Sequence, residues 1–181
     1  MIKDKKIVSS SQFRIMIDRL ANELIENHCD FKDTIIVGLQ PRGVEFSKRI
    51  VDKLISITDN KDIYSGSLDI TFFRDDFRRR DLPIQAKELD MNMSIEGKRV
   101  VLIDDVLFTG RSIRAALDAL MIFGRPKQVE LMVMIDRRLK RHLPIEPNYV
   151  GKIVDSISSE KVMVRWGSKD SEDEIILKSM E

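Results

Sequence analysis

The sequence predicts an α/β protein: a central, mostly parallel sheet flanked by helices, with a smaller piece at its C-terminal end. Three observations carry that expectation. Short apolar runs alternate with segments whose apolar residues recur at the helical period of 3.6. One run, residues 100–103, ends in two adjacent carboxylates, Asp104 and Asp105, and passes through a Thr-Gly-Arg-Ser turn into an amphipathic helix. Residues 149–178 add strand-like pieces without further helices.

Taken in chain order, Ser9, Ser10 and Ser11 offer N-caps to a first helix. Its apolar positions Phe13, Met16, Ile17, Leu20, Ala21, Leu24 and Ile25 form one stripe. Residues 34–37 read as a short buried strand, and residues 38–43, Gly-Leu-Gln-Pro-Arg-Gly, as a turn dense in backbone punctuation. A second helix is expected over residues 44–57. Residues 68–73 alternate like a strand and open onto the charged segment 74–81. Residues 74–95 lack periodicity and read as a long exposed loop or hairpin, of a length that is usually functional or mobile. The helix after the Thr-Gly-Arg-Ser turn is expected over residues 112–123, stopping at Gly124 with Pro126 close behind. Residues 128–135 form another apolar strand, ending in Asp136 and Arg137. At least two strand-like pieces follow, including residues 161–166. No repeat, low-complexity tract or linker divides the chain, so residues 1–181 are expected to form a single domain.

Composition excludes several classes. Lys and Arg number 31 against 30 Asp and Glu, a net charge of +1, so only local clustering can argue for nucleic acid. The single Cys29 excludes an intramolecular disulfide framework and a cysteine metal cage, and points to a reducing cytoplasmic setting. There is no apolar run of about 18 residues to span a membrane, and the first residues lack the apolar core of a signal peptide. His28 and His142 are lone histidines, expected at the surface rather than in catalysis.

Three elements fall at the carboxyl ends of predicted strands, where ligands bind in open α/β sheets: residues 40–43, residues 104–112 and the Asp136-Arg137 pair. Thr109, Gly110 and Ser112 open a helix whose first N–H groups lack intrahelical partners. Gly110 lets the backbone approach closely, the hydroxyls donate, and the helix dipole favours an anion such as a phosphate monoester. Asp104 and Asp105 would repel that phosphate. They must accept from sugar hydroxyls or engage a divalent cation, Mg2+ through water. A plain strand–turn–helix would leave Asp-Asp followed by Thr-Gly-x-Ser unexplained.

Residues 100–112 resemble the 5-phosphoribosyl-1-pyrophosphate signature of the type I phosphoribosyltransferases. The resemblance extends over nearly the whole chain. Residues 70–76, 101–111, 120–126, 143–145, 149–152 and 159–164 all recur in order, and together they are similar to the PyrR family, bifunctional pyrimidine operon regulators and uracil phosphoribosyltransferases.

The resemblance implies the type I phosphoribosyltransferase fold with a small C-terminal hood, and roles for particular residues. Asp104 and Asp105 would hold the ribose 2′- and 3′-hydroxyls, directly or through Mg2+. Val106, Leu107, Phe108, Thr109, Gly110, Arg111 and Ser112 would wrap the 5′-phosphate. Leu39, Gln40, Pro41, Arg42 and Gly43 would form the pyrophosphate loop, with a non-proline cis peptide between Leu39 and Gln40. Arg74, with Arg78, Arg79 and Arg80, would lie on a flexible loop closing over the pyrophosphate; for those last three a solvated charge run is the alternative. Asp104, Asp105, Arg42 and Arg74 would thus carry the catalysis. Base recognition would fall to Asp136, Arg137 and the segment 149–152, with backbone near Val150 reading the pyrimidine edge. A salt-bridged Asp136–Arg137 pair and a core Tyr149 are the alternatives there.

Two departures matter. Purine-using relatives carry an acid that accepts the base proton where this chain has Phe108, which favours uracil, whose N–H is fairly acidic. The regulatory face is mixed in sign: Asp18, Arg19, Asn22 and Glu23 share the polar side of the first helix, and Glu146 follows the Leu-Pro-Ile motif. Residues 137–142 are strongly basic and one residue longer than the family pattern, so Arg19, Arg138, Lys140, Arg141 and Lys152 are the RNA-binding candidates. The implied function is synthesis of UMP and pyrophosphate from uracil and 5-phosphoribosyl-1-pyrophosphate, joined to UMP-dependent binding of a pyr operon leader RNA. A UMP-sensing RNA-binding regulator with little catalysis, an enzyme that has lost RNA binding, and a type I transferase using a purine or orotate remain open. A homodimer or higher homo-oligomer, in the cytoplasm and away from membranes, is implied by the resemblance alone.

Overall fold

Strand residues buried on both faces need a layer of helices on each side, and that requirement sets the architecture. The computed structural model describes residues 4–75, 94–157, 159–167 and 172–179. Strands β2 (Thr34–Leu39), β3 (Tyr64–Leu68), β4 (Arg99–Leu107), β5 (Gln128–Arg137) and β6 (Tyr149–Val154) form a parallel sheet of five in the order β3-β2-β4-β5-β6. Alternate side chains go to opposite cores. Ile36, Val101, Ile103, Met132 and Met134 join helices α1 (Ser10–His28) and α2 (Arg42–Thr58), while Ile35, Val37, Val100, Leu102, Leu131 and Val133 join helix α3 (Arg111–Leu120).

Helix α1 starts where the serines place it. Ser9 is the N-cap, its hydroxyl accepting from Gln12 N–H while the Gln12 side chain accepts from Ser9 N–H, a reciprocal capping box. Phe13, Met16, Ile17, Leu20, Ala21 and Leu24 of the expected stripe are buried, and Ile25 is half-buried. Helix α3 gives way at Leu120 to a 3-10 turn over Met121–Phe123, and Gly124, with φ of 132°, ends it.

Two expectations are corrected. Residues 68–73 are not a strand: β3 lies earlier and ends at Leu68, because the Asp69 carboxylate accepts from Thr71 N–H at 2.8 Å and turns the chain into a 3-10 turn, Thr71–Phe73. A further strand, β1 (Lys5–Val8), pairs with β8 (Glu174–Ser179), which pairs with β7 (Glu160–Arg165) in an antiparallel sheet of order β1-β8-β7. The hood therefore draws on both ends of the chain. Most of residues 74–95 lie outside the described residues.

Candidate functional site

The site is built where β2 and β4 run into their helices. Register puts Gly38 beside Ile103 and Leu107 beside Asp136, so the exits of β2, β4 and β5 share one edge. Two glycines let α2 come close to that edge. A Cβ on Gly43 would lie 2.2 Å from the carbonyl oxygen of Ile103, and one on Gly38 would lie 2.4 Å from Ser47 Oγ. The turn between β2 and α2 is held from the side: Gln40 N–H donates to Leu68 O at 3.0 Å, and its side-chain amide to Ser67 Oγ at 3.0 Å. Arg42, the first residue of α2, points back at β4, its Nη1 lying 3.6 Å from Asp105 Oδ2.

Asp105 is 6% exposed, and its Oδ2 is fully buried without a hydrogen-bond partner among the described residues. Its backbone N–H donates to Asp104 Oδ1 at 2.9 Å. Burial first, and the neighbouring Asp105 carboxylate second, push the Asp104 carboxyl up to about 8, against the pull of the nearby Arg74 cation. Burial raises the Asp105 carboxyl too, with Arg42 opposing it. Two carboxyls held this way want donors. Sugar hydroxyls supply them, and so does a hydrated cation, to which the pair offers only a minority of an octahedral shell, the share that Mg2+ usually takes from protein.

Beyond the carboxylates comes the turn. Gly110, with φ of 89°, is the N-cap of α3 and has no side chain to cap it. Arg111 N–H donates to Thr109 Oγ1 at 3.4 Å, and the N–H groups of the next two residues lack intrahelical partners and can meet an anion. Arg74 reaches in from the 3-10 turn, its Nη1 donating to Ser112 Oγ at 3.1 Å, and Arg111 is ion-paired with Asp75. The segment after β5 backs the turn: His142 and Leu143 N–H both donate to Thr109 O, at 3.0 and 3.2 Å. Ile145 and Leu143 close over Gly110, where a Cβ would meet Ile145 at 3.2 Å.

Phe108 is clamped on two sides. The buried Arg137 guanidinium lies 4.0 Å from its ring centroid, and Arg141 donates to its carbonyl at 2.8 Å while also pairing with Asp136. Arg137 is fixed in turn by Ser156 Oγ at 2.8 Å and Glu160 O at 2.9 Å, on the chain leading into the hood. Asp136 pairs with Arg141, not with Arg137. The sequence pointed to neither Arg141 nor Ser156 as parts of this wall. The available signal was the basic run 137–142, which reads as a surface patch until the register turns two of its arginines inward.

Most sequence-predicted residues come together here: Leu39, Gln40, Pro41, Arg42 and Gly43 on one side, 104–112 in the middle, Arg74 above, Asp136 and Arg137 on the far side. Others do not. Val150 is the second residue of β6, not at its carboxyl end, and its carbonyl is taken by Arg19 at 2.8 Å. Tyr149 starts that strand at the opposite edge, its hydroxyl donating to Glu130 at 2.6 Å. The parallel register with β5 sets Val150 beside Val133, with its carbonyl occupied by Arg19, and the Tyr149 hydroxyl turns to Glu130 rather than to the strand-end loops. The cis peptide is Gln40-Pro41 rather than Leu39-Gln40, falling on the tertiary amide that tolerates it. His28 is 6% exposed, not a surface residue: it ends α1 facing the sheet, with Nδ1 2.9 Å from Thr34 Oγ1 and Nε2 3.1 Å from Glu130. His142 is exposed, as expected.

The RNA-binding candidates divide. Arg19 contacts Glu23 and the carbonyls of Val150 and Gly151, Arg138 is bidentate on Asp155 with both contacts at 2.9 Å, and Arg141 is spent on Phe108 and Asp136. Lys152 is exposed and Lys140 half-buried. Arg78, Arg79 and Arg80 lie outside the described residues. No described helix is long and apolar enough to cross a membrane.

Comparison with known proteins matches the geometry. The phosphoribosyl transferase domain family matches residues 5–166. The bifunctional protein PyrR of Chloroflexus aurantiacus is 41% identical over 177 residues, covering 98% of this chain and 96% of that protein. The bifunctional protein PyrR of Actinobacillus succinogenes is 43% identical over 180 residues, covering 97% and 99%. Among solved structures, the hypoxanthine phosphoribosyltransferase of Trypanosoma cruzi superimposes with a TM-score of 0.72 at 15% identity, covering 98% of this chain and 97% of that one. A hypoxanthine-guanine phosphoribosyltransferase from Bacillus anthracis gives 0.69 at 16% identity, over 100% and 99%. At such identities the structures speak for the fold alone.

Proposed function

The chain belongs to the PyrR family of bifunctional proteins built on the phosphoribosyl transferase domain, and on that premise we propose that it transfers phosphoribosyl from 5-phosphoribosyl-1-pyrophosphate to uracil, giving UMP and pyrophosphate. The observation that carries this reading is the buried carboxylate oxygen of Asp105, hydrogen-bonded to no described residue and faced by the Arg42 cation, on the strand that leads into the Gly110-capped N-terminus of α3. One end suits sugar hydroxyls and the other a phosphate, the two groups that a ribose 5-phosphate presents.

In this reading Asp104 and Asp105 accept from the ribose hydroxyls beneath the ring, and their charge favours the oxocarbenium character that develops as the bond to pyrophosphate breaks. N–H groups of residues 109–112 hold the 5′-phosphate, and Arg74 adds a cation beside Ser112. The leaving pyrophosphate takes its charge partners from Arg42 and the backbone of residues 39–43. Positioning and leaving-group stabilisation do most of the work. Asp104 and Asp105 are also the residues that would hold Mg2+, which would neutralise pyrophosphate charge as it leaves.

The base side supports a pyrimidine. Phe108 offers a face and no proton acceptor, and Asp136 is already neutralised by Arg141. Uracil would pack against the Phe108–Arg137 wall. A substrate panel of uracil, hypoxanthine, guanine and orotate tests this: UMP formation from uracil is the expected result, and turnover only with a purine or orotate overturns it.

The second activity, proposed for the cytoplasm with a homodimer or higher homo-oligomer, is UMP-dependent binding of a pyr operon leader RNA. Lys140 and Lys152 are its main cations here, since Arg19, Arg138 and Arg141 have partners within the chain. Filter binding to that RNA with and without UMP is the check: tighter binding with UMP supports the sensor, and binding unmoved by UMP removes it.

A further inference from the structure

The chain has one tryptophan, Trp166, and it stands outside everything assigned above. It follows β7 directly, yet its ring packs on helices. It stacks on Phe46 of α2 with centroids 5.9 Å apart, meets Phe13 of α1 edge-on at 5.3 Å, and lies under the Arg49 guanidinium at 5.3 Å. Arg49 then grips the hood itself. Its Nη1 donates to Asp173 Oδ2 at 2.7 Å and its Nη2 to Gly167 O at 3.2 Å, while Asp173 Oδ1 accepts from Gly167 N–H at 2.7 Å. One side chain thus binds the segment leaving β7 and the segment leading into β8. The pair is sheltered, with side-chain exposures of 31% for Arg49 and 16% for Asp173, so it is less screened than a free surface bridge.

The place of Arg49 on its helix gives the contact a consequence. Arg42, Phe46 and Arg49 are spaced i, i+4, i+7 and share one face of α2. The first turn of that helix is pinned to β4 by the Gly43 contact and carries Arg42 of the pyrophosphate loop. The hood's opposite end is tied to the base wall, through Arg137 bonded to Ser156 and Glu160. The hood therefore touches the base side at one end and the leaving-group helix at the other.

We propose that Arg49 is a positioning residue that, by holding Trp166 and Asp173, locks the hood to the pyrophosphate-loop helix and couples occupancy of the base half of the site to occupancy of the pyrophosphate half. The inference rests on the transferase reading of the site. Coupling of this kind is reciprocal: UMP must strengthen pyrophosphate binding by the same factor as pyrophosphate strengthens UMP binding.

The test uses the full-length chain with UMP and magnesium pyrophosphate as probes, affinities from calorimetry and Trp166 emission excited at a wavelength UMP does not absorb. Wild type should show each ligand tightening the other by about fivefold or more, with a shift in Trp166 emission on formation of the ternary complex. Arg49→Met, which keeps the aliphatic stem over the ring, should abolish both while leaving each ligand's separate affinity within about twofold. Asp173→Asn, which leaves α2 untouched, should lower the same coupling, and Arg49→Lys should restore part of it. Unchanged coupling in Arg49→Met overturns the proposal, as does an equal loss of both separate affinities with coupling intact, the pattern of a merely structural residue. A wild type that binds both probes without any coupling also overturns it. Coupled binding without uracil turnover would refute the transferase reading and leave the clasp standing.

Discussion

The backbone N–H of Asp105 donates to the side-chain oxygen of Asp104 at 2.9 Å, so two carboxyls that repel each other are also tied together at the end of β4. Their environment favours the neutral form of Asp104 until a ligand arrives.

That has a pH signature. The Asp104 carboxyl is raised to about 8 in the folded chain, from the 3.8 of an unperturbed aspartate. Between those limits the folded state holds the proton that the unfolded state has lost, so this contribution to stability is complete below the lower value and declines as pH rises through the upper one. Asp104→Asn keeps the shape without the charge. It should flatten the pH dependence of melting from pH 5 to 8 and raise Tm at pH 8 by a few degrees, roughly 1 kcal/mol for a chain of this size, while turnover is lost. A variant whose melting tracks wild type across that range contradicts the assignment.

Gly43 tests the approach of α2 to β4. A Cβ there would meet a backbone carbonyl at 2.2 Å, and a backbone oxygen cannot swing aside as a side chain can. Gly43→Ala should cost about 3 kcal/mol or more, a fall in Tm on the order of 10 °C. Melting within a degree or two of wild type would mean the helix can retreat freely.

Phe108 and Arg137 define the base wall. Phe108→Leu keeps an apolar side chain but removes the ring face under the guanidinium, an interaction worth ~1 kcal/mol or somewhat more when desolvated. The KM for uracil should rise about fivefold with little change in that for the pyrophosphate donor. Equal changes in both constants would place Phe108 in folding rather than in base binding.

At the opposite edge of the sheet, Glu130 accepts from Tyr149 and faces His28, which in turn reaches Thr34. Burial, and then the hydrogen bond to Glu130, hold the Tyr149 phenol above its usual range. Its contribution is therefore intact below pH 10 and declines as pH rises beyond that, because the unfolded phenol ionises first. Tyr149→Phe should cost about 1–2 kcal/mol at neutral pH and should lose part of its alkaline destabilisation. Unfolding curves in denaturant at pH 7 and pH 10.5 compare the two.

For RNA, Lys140→Ala and Lys152→Ala should each reduce the salt dependence of leader RNA binding by about 0.7 in log–log slope. Arg138→Ala should change it much less, since Asp155 already holds that guanidinium at both nitrogens. The reverse order would mean that the ion pair opens to receive phosphate.

Much of this was legible in local pattern. The stripe from Phe13 to Leu24, the serine cap, the apolar run before Asp104 and the Gly110 turn are encoded by residues near one another in sequence, and they stand where expected. What could not be read depends on long-range pairing. The Lys5–Val8 strand has no signal of its own and exists because β8 offers it an edge. Val150 and Tyr149 sit in a strand-like segment, but which end of it faces the site follows only from the parallel pairing with β5. His28 looks isolated until Glu130, 102 residues away, is brought beside it. Residues 137–142 show the same limit: their charge is plain in sequence, but whether each arginine faces solvent or Phe108 is a matter of packing.

The central claim is that the Asp104–Asp105 pair serves phosphoribosyl transfer to uracil. The most direct measurement is formation of labelled UMP from labelled uracil and 5-phosphoribosyl-1-pyrophosphate with Mg2+, by wild type and by the double variant Asp104→Asn, Asp105→Asn. The account predicts UMP from wild type and none above background from a double variant that melts as a folded protein. Retained UMP synthesis by that double variant would contradict it.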